Sequence, residues 1–247
     1  MFEQWNKDVI KRVNSYKNNE SLKKAGYNFL REIEKVKYAY NFSWMGFPIL
    51  QITEDMYAFQ EIIWRVKPDL IIETGVAYGG SVIFCASMLT LLEACGEIEN
   101  GDVLGIEINL YPESQKAIFT HPLSKKITIL EGSSTNEKII EKVREFSKHK
   151  KRIIVFLDAN HVHEHVLAEL RAYAPLVCVG SYIIVEDTGI EELPDGTSFD
   201  RPWGKGNNPK TAVQEFLKEN KNFEIDKMID LKLIFTGTRD GRLKRIR

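Results

Sequence analysis

Short, nearly continuous apolar runs alternate along this chain with longer stretches in which apolar residues recur every three or four positions. A run that begins at Asp69, followed by runs near 102–108, 126–130, 152–157 and 180–186, has strand length and β-type composition. The intervening stretches near 81–95, 112–120, 136–147, 162–173 and 209–219 carry the helical period. Such alternation predicts parallel strands joined by crossover helices, with both sheet faces covered. Helices are also expected before the first strand, over the polar segment up to about Tyr40 and from Thr53-Glu54-Asp55, read as capping residues, through Arg65. At the other end, 223–230 and 232–238 read as two neighbouring strands that form an antiparallel hairpin. The expected fold class is therefore α/β: a doubly wound, Rossmann-like sheet of about seven strands, mostly parallel, with an antiparallel C-terminal hairpin and added N-terminal helices.

Composition narrows this picture. At 247 residues with no linker-like stretch, one domain is favoured, comprising a helical extension over 1–45 and a catalytic core over 46–247. Lys+Arg number 34 against 35 Asp+Glu, which gives no electrostatic footprint for nucleic acid. The basic stretch Arg239 to Arg247 reads as a solvated end. The apolar runs are too short for an integral membrane segment, and the N-terminus lacks the basic start and apolar stretch of a signal peptide, so a cytoplasmic location is expected. Cys85, Cys95 and Cys178 have no metal-ligand spacing and read as reduced core residues.

The chemistry begins at the first strand, Asp69-Leu-Ile-Ile-Glu-Thr-Gly-Val-Ala-Tyr-Gly-Gly80. A dinucleotide loop would read Gly-x-Gly-x-x-Gly and seat a pyrophosphate on the helix N-terminus. Here the spacing is Glu73-x-Gly75-x-x-x-Gly79. A carboxylate at that point repels a pyrophosphate and suits a cationic amino group, and class I methyltransferases, which bind S-adenosylmethionine, have a loop of this form. Any strand–Gly–helix junction can mimic the spacing, so the remaining strand ends must decide. Glu107, at the second, is placed to accept from a ribose diol. Gly132-Ser133-Ser134, after the third, leaves room for an adenine ring or forms a plain turn. Asp158-Ala159-Asn160-His161 and Glu186-Asp187 end the fourth and fifth strands. Acids at that density are costly unless a cation neutralises them, and oxygen ligands suit Mg²⁺ or a similar hard ion. The run His161-Val-His163-Glu164-His165 lacks the Asp-His step of a hydrolase zinc site, so His161 is read instead as a base or substrate contact.

With these residues assembled, the chain from about Trp44 to its C-terminus resembles the cephalosporin hydroxylase family, whose members include S-adenosylmethionine-dependent O-methyltransferases acting on sugar hydroxyls. The blocks that carry the resemblance include Gly46-Phe47-Pro48, Pro68 to Gly75, Gly79-Gly80-Ser81, Glu131 to Ser134, His161 to Leu167, Tyr173 to Val177, Val185 to Thr188 and Arg201-Pro202-Trp203-Gly204. The resemblance implies a class I methyltransferase sheet, bound S-adenosylmethionine and a Mg²⁺ near the acceptor. Cofactor contacts are then expected from Glu73, Gly75, Ala77, Gly79, Ser81, Glu107, Ile108, Gly132, Ser133, Ser134 and Asp158. The metal set is expected from Asp158, Asn160, Glu186 and Asp187, where Asn160 departs from a family position that often holds an acid. His161 and Asp158 are the expected catalytic residues, and His163, Arg201 and Trp203 the substrate contacts, with the loop from Gly189 to Asn208 as a lid. The partner is a small-molecule or carbohydrate acceptor, and a homo-oligomer is expected. A nicotinamide-dependent dehydrogenase and a non-catalytic S-adenosylmethionine-binding protein are the alternative readings.

Overall fold

The computed structural model describes residues 2–193 and 201–247. Two helices lead, α1 (Glu3–Tyr16) and α2 (Glu20–Lys35), followed by the small antiparallel pair β1 (Ser43–Trp44) and β2 (Phe47–Pro48). The alternating core then runs α3 (Thr53–Val66), β3 (Leu70–Thr74), α4 (Gly80–Ala94), β4 (Asp102–Glu107), α5 (Pro112–Thr120), β5 (Ile127–Glu131), α6 (Glu137–Ser147), β6 (Ile153–Leu157), α7 (His163–Tyr173) and β7 (Tyr182–Val185). It closes with α8 (Pro209–Glu219), β8 (Phe223–Ile225), α9 (Lys227–Lys232) and β9 (Arg242–Arg245). Among the described residues no helix is long and apolar enough to cross a membrane.

β3 to β9 form a seven-stranded sheet in the order β5-β4-β3-β6-β7-β9-β8. β5, β4, β3, β6 and β7 are parallel to one another, and β9 lies antiparallel between β7 and β8. Every residue of β3, β6 and β7 is buried, as expected for central strands with helices on both faces. One core cluster packs α3 and α4 on one face, through Phe59, Ile62 and Ile83, and the other packs α6, α7 and α8 on the opposite face, through Val143, Leu170 and Phe216.

Four sequence expectations are corrected. The hairpin exists, but its second strand is 242–245 rather than 232–238; residues 227–232 form α9, capped by the Asp226 carboxylate accepting from Met228 and Ile229 N–H. The tail is not solvated, because Arg242 is 1% exposed and lies between Asp55 and Asp230. Asp55 does not cap α3: its carboxylate accepts from Thr236 Oγ1, Gly237 N–H and Arg242 Nη2, and the N-cap position, Ile52, has no side-chain cap. Of the three free cysteines only Cys85 is buried; Cys95 is exposed.

The N-terminal helices lie against the C-terminal segment. A Cβ on Gly26 would stand 2.3 Å from the Ile234 carbonyl oxygen, so glycine allows α2 to approach the 230–236 backbone directly. Tyr27 donates its hydroxyl hydrogen to the Glu192 carbonyl, in the short turn that follows β7.

Candidate functional site

The chain proceeds from β3 outward to β4 and β5, then returns to place β6 on the other side of β3. Crossover loops leave in opposite directions at that point, opening a crevice beyond the carboxyl ends of the strands. Two adjoining cavities occupy it, of about 210 Å³ and 90 Å³. The first is lined by Gln51, Ser81, Asp158, His161 and Asp187 among others, the second by Ile108, Gly132, Ser133, Ser134, Asn160 and His165. Gly75, Glu107 and Ala159 border both. A larger cavity of about 290 Å³ lies between α2 and residues 230–236, and none of the strand-end acids lines it. Reactive groups, rather than volume, identify the crevice as the site.

The β3–α4 loop turns sharply because Gly75, Ala77 and Gly79 all have positive φ, at 86°, 46° and 89°. A Cβ on Gly75 would stand 2.2 Å from the Asp158 carbonyl oxygen, a backbone atom that cannot swing aside. Gly75→Ala is therefore expected to force the β3 and β6 ends apart and lower stability by about 1–3 kcal/mol, measurable as a shifted denaturation midpoint. An unchanged midpoint would refute that close packing. The strained Ala77 is held by Glu107, whose Oε2 accepts from Val76 and Ala77 N–H at 2.9 and 3.0 Å. Asn109 N–H donates to Oε1 at 3.2 Å, so Glu107 organises the loop as well as facing both cavities.

Glu73 is completely buried, accepting from Ser81 Oγ, with Cys85 Sγ 3.9 Å away. Burial pushes its carboxyl up to about 8 against the Ser81 hydrogen bond, with the Glu107 charge adding to the rise. Asp158, beyond β6, accepts from Gln51 Nε2 at 2.8 Å. Desolvation and the charges of Asp187, Glu186 and Glu73 hold it well above the ordinary carboxylate range, although it remains reachable from the cavity it lines. Asp187, in left-handed backbone with φ 57°, places Oδ2 3.2 Å from His161 Nε2. Asp158, His161 and Asp187 each offer one ligand atom, all within 4.8 Å of one another. Trp203 meets the edge of the His161 ring, with centroids 4.8 Å apart, and the Arg201 guanidinium lies 5.2 Å from the Trp203 centroid.

Other expected residues lie elsewhere. Asn160 turns its Oδ1 to Val162 N–H at 2.9 Å, fixing the entry to α7, and borders the smaller cavity rather than the acid cluster. Glu186 is buried beside that cluster but accepts from Thr238 Oγ1 at 2.6 Å and stands outside the Asp158–His161–Asp187 group. His163 lies in the α7–α8 seam, 2.8 Å from Thr211 Oγ1 and 3.3 Å from Glu215, and lines neither cavity. Ile108, 69% exposed, lies at the mouth of the smaller cavity. Of the loop expected as a lid, residues 194–200 lie outside the described residues. Sequence reasoning missed Gln51 and Tyr40, which reach the crevice from the segments before α3. It also left α2 unassigned; that helix packs on Ile234 through Gly26 and bonds Glu192 through Tyr27, and desolvation and the Asp187 charge raise its Glu34 carboxyl.

The family model of rhamnosyl O-methyltransferase/CmcI matches residues 36–246. The chain belongs to that family. Among curated relatives, a rhamnosyl O-methyltransferase of Mycobacterium leprae is 29% identical over 205 residues, covering 82% of each chain. One from Mycobacterium tuberculosis (strain ATCC 25618 / H37Rv) is 28% identical over 208 residues, covering 82% of this chain and 78% of its own. Among solved structures, apo CmcI-N160 superposes with a TM-score of 0.60 at 19% identity, covering 84% of this chain and 77% of its own. CmcI-D160 with Mg and SAM superposes with a TM-score of 0.57 at 19% identity, covering 84% and 78%. Both share the fold of this chain.

Proposed function

We propose that this chain is an S-adenosylmethionine-dependent O-methyltransferase, aided by Mg²⁺ or a similar cation, that acts on a hydroxyl of a sugar, glycoside or other small molecule. One observation carries the reading: Asp158 and Asp187 line the crevice, Glu73 and Glu186 lie buried just behind its lining, and among the described residues none of the four is ion-paired with lysine or arginine. Such a set calls for cationic ligands, and a sulfonium compound with an amino group, together with a metal ion, satisfies it. The family match and the relatives' rhamnosyl activity support the reaction class and point to a sugar hydroxyl as acceptor.

When bound, S-adenosylmethionine supplies an electrophilic methyl group and the metal ion a Lewis acid that polarises the acceptor oxygen. Glu73, buried beneath the cavity wall beside Ser81, would hold the methionyl ammonium, Glu107 the ribose, and the Gly132–Ser134 loop the adenine. Asp158 and Asp187 would hold the metal, with Glu186 behind them, which leaves the single lone pair of a neutral His161 imidazole uncommitted. His161 also faces the acceptor, where its imidazole accepts the hydroxyl proton. Trp203, against His161, excludes water from that side. Holding donor and acceptor together would remove much of the entropic barrier.

The decisive experiment combines calorimetric titration with S-adenosylmethionine, S-adenosylhomocysteine and NAD with transfer of labelled methyl groups to a panel of rhamnosides and other glycosides, with and without Mg²⁺. Adenosyl-ligand binding and labelled product are expected. Binding of NAD alone would overturn the reading.

Glu73 adds a proton signature. Because its carboxyl is pushed up to about 8, it is mostly protonated at pH 7, and an incoming ammonium favours the charged form. Binding is expected to release about one proton near pH 7, seen as a buffer-dependent enthalpy that Glu73→Gln removes. In the free protein the same shift contributes stability that is fully present below the ordinary carboxyl value of 4.5 and is lost as pH rises through about 8. Buffer-independent binding enthalpy would exclude Glu73 as the ammonium site.

A further inference from the structure

On α7, His165, Glu169 and Tyr173 are spaced four apart, which puts them on one helical stripe, and that stripe faces the loop after β5. Tyr173 donates its hydroxyl hydrogen to the Ser134 carbonyl, fixing the loop backbone. His165 Nε2 lies 3.0 Å from Ser134 Oγ and 3.5 Å from Glu169 Oε1. Glu169 has a 1% exposed side chain, and neither of its oxygens accepts a hydrogen bond among the described residues. Ser134 and His165 both line the smaller cavity.

The contacts decide a tautomer. Both the hydroxyl and the carboxylate approach the same ring nitrogen, so this is not a relay through the imidazole in which the two ring nitrogens serve different partners. A lone pair on Nε2 would lie beside a buried carboxylate that repels it, whereas a proton on Nε2 gives an N–H aimed at Ser134 Oγ and held in the field of the Glu169 charge 3.5 Å away. With that N–H donated to Ser134 Oγ, the serine's own hydrogen is free to turn into the cavity.

We propose that the buried Glu169, acting through His165, sets Ser134 as a hydrogen-bond donor to a ring nitrogen of the cofactor's adenine, which makes Glu169 a positioning residue for base recognition. This rests on the methyltransferase reading, which assigns the smaller cavity to adenine. The opposite tautomer would turn the serine hydrogen toward histidine and leave the oxygen to accept from the exocyclic amine. Ring nitrogens N1, N3 and N7 accept, so replacing the right one with C–H removes the interaction at nearly constant shape.

The test measures dissociation constants of S-adenosylhomocysteine and its 1-deaza, 3-deaza and 7-deaza analogues for the wild type, Ser134→Ala and Glu169→Gln, with thermal melts on each. One analogue is expected to bind the wild type about 10-fold more weakly than the parent, as for one lost hydrogen bond, and Ser134→Ala and Glu169→Gln are each expected to abolish that ratio. A purely structural role would lower the melting temperature and leave the ratio intact. Equal binding of all analogues by the wild type overturns the donor role, and a ratio retained in Glu169→Gln overturns the positioning role. Failure of the wild type to bind S-adenosylhomocysteine at all overturns the cofactor reading, and this inference with it.

Discussion

Replacing Arg242 with leucine is expected to destabilise the protein by about 3–5 kcal/mol, the scale seen when one partner of a buried ion pair is removed. Arg242 is 1% exposed and donates to Asp55 Oδ1 at 2.7 Å, to Asp230 Oδ1 at 3.2 Å and to the Thr238 carbonyl at 3.2 Å. Burial alone raises both carboxyls, and the guanidinium pulls them back. Leucine leaves Asp55 without a countercharge and Asp230 with only the weaker pull of Arg239, so the pair must protonate or open the structure to water. The reach extends to the site: Asp55 accepts from Thr236 Oγ1, which accepts from Thr238 N–H, and Thr238 Oγ1 donates to Glu186. Urea denaturation of Arg242→Leu, and of the triple variant that also carries Asp55→Asn and Asp230→Asn, checks the account. The triple variant should recover much of the loss, because the uncompensated charges go with the arginine. A loss below about 1 kcal/mol in Arg242→Leu would show that water already reaches the cluster.

Replacing His161 with glutamine is expected to lower kcat by about 10²–10⁴-fold, the range for a lost general base. Glutamine retains a polar group beside Asp187 and Trp203 but accepts no proton at neutral pH. His161 lines the 210 Å³ cavity of the crevice and not the smaller one beside the Gly132–Ser134 loop, so S-adenosylhomocysteine affinity should stay within about 3-fold of wild type, a change below 1 kcal/mol. A rapid-quench measurement of the methyl-transfer step separates chemistry from product release. An unchanged chemical step would remove His161 from the mechanism and leave Asp158 and Asp187 as the groups that activate the acceptor.

How much of this was legible differs from element to element. The strand at 70–74, the glycine turn and the acids ending β6 and β7 can be read locally, because a buried parallel strand needs a continuous apolar run and a sharp turn needs residues that tolerate positive φ. The C-terminal hairpin was read in kind and misplaced in position. Residues 227–232 have an apolar pattern too short to separate helix from strand, and the Asp226 cap that decides it acts through backbone geometry. The basic tail was misread for a related reason: Arg242 looks solvated until β9 is inserted between β7 and β8, where its partners are waiting.

The sequence by itself determined the α/β alternation, the acidic glycine loop and the set of strand ends from which a site must be built. All follow from periodicity and from backbone preferences that act over a few residues. Tertiary structure alone decided which side chains meet. Gln51 reaches Asp158 from 107 positions away and Arg242 reaches Asp55 from 187. It also separated the strand-end acids, grouping Asp158 with His161 and Asp187 while turning Glu186 toward Thr238 and Asn160 toward its own helix. Local pattern carries no record of such pairings, because a hydrogen bond depends on ångström separations that the packing of the whole sheet sets.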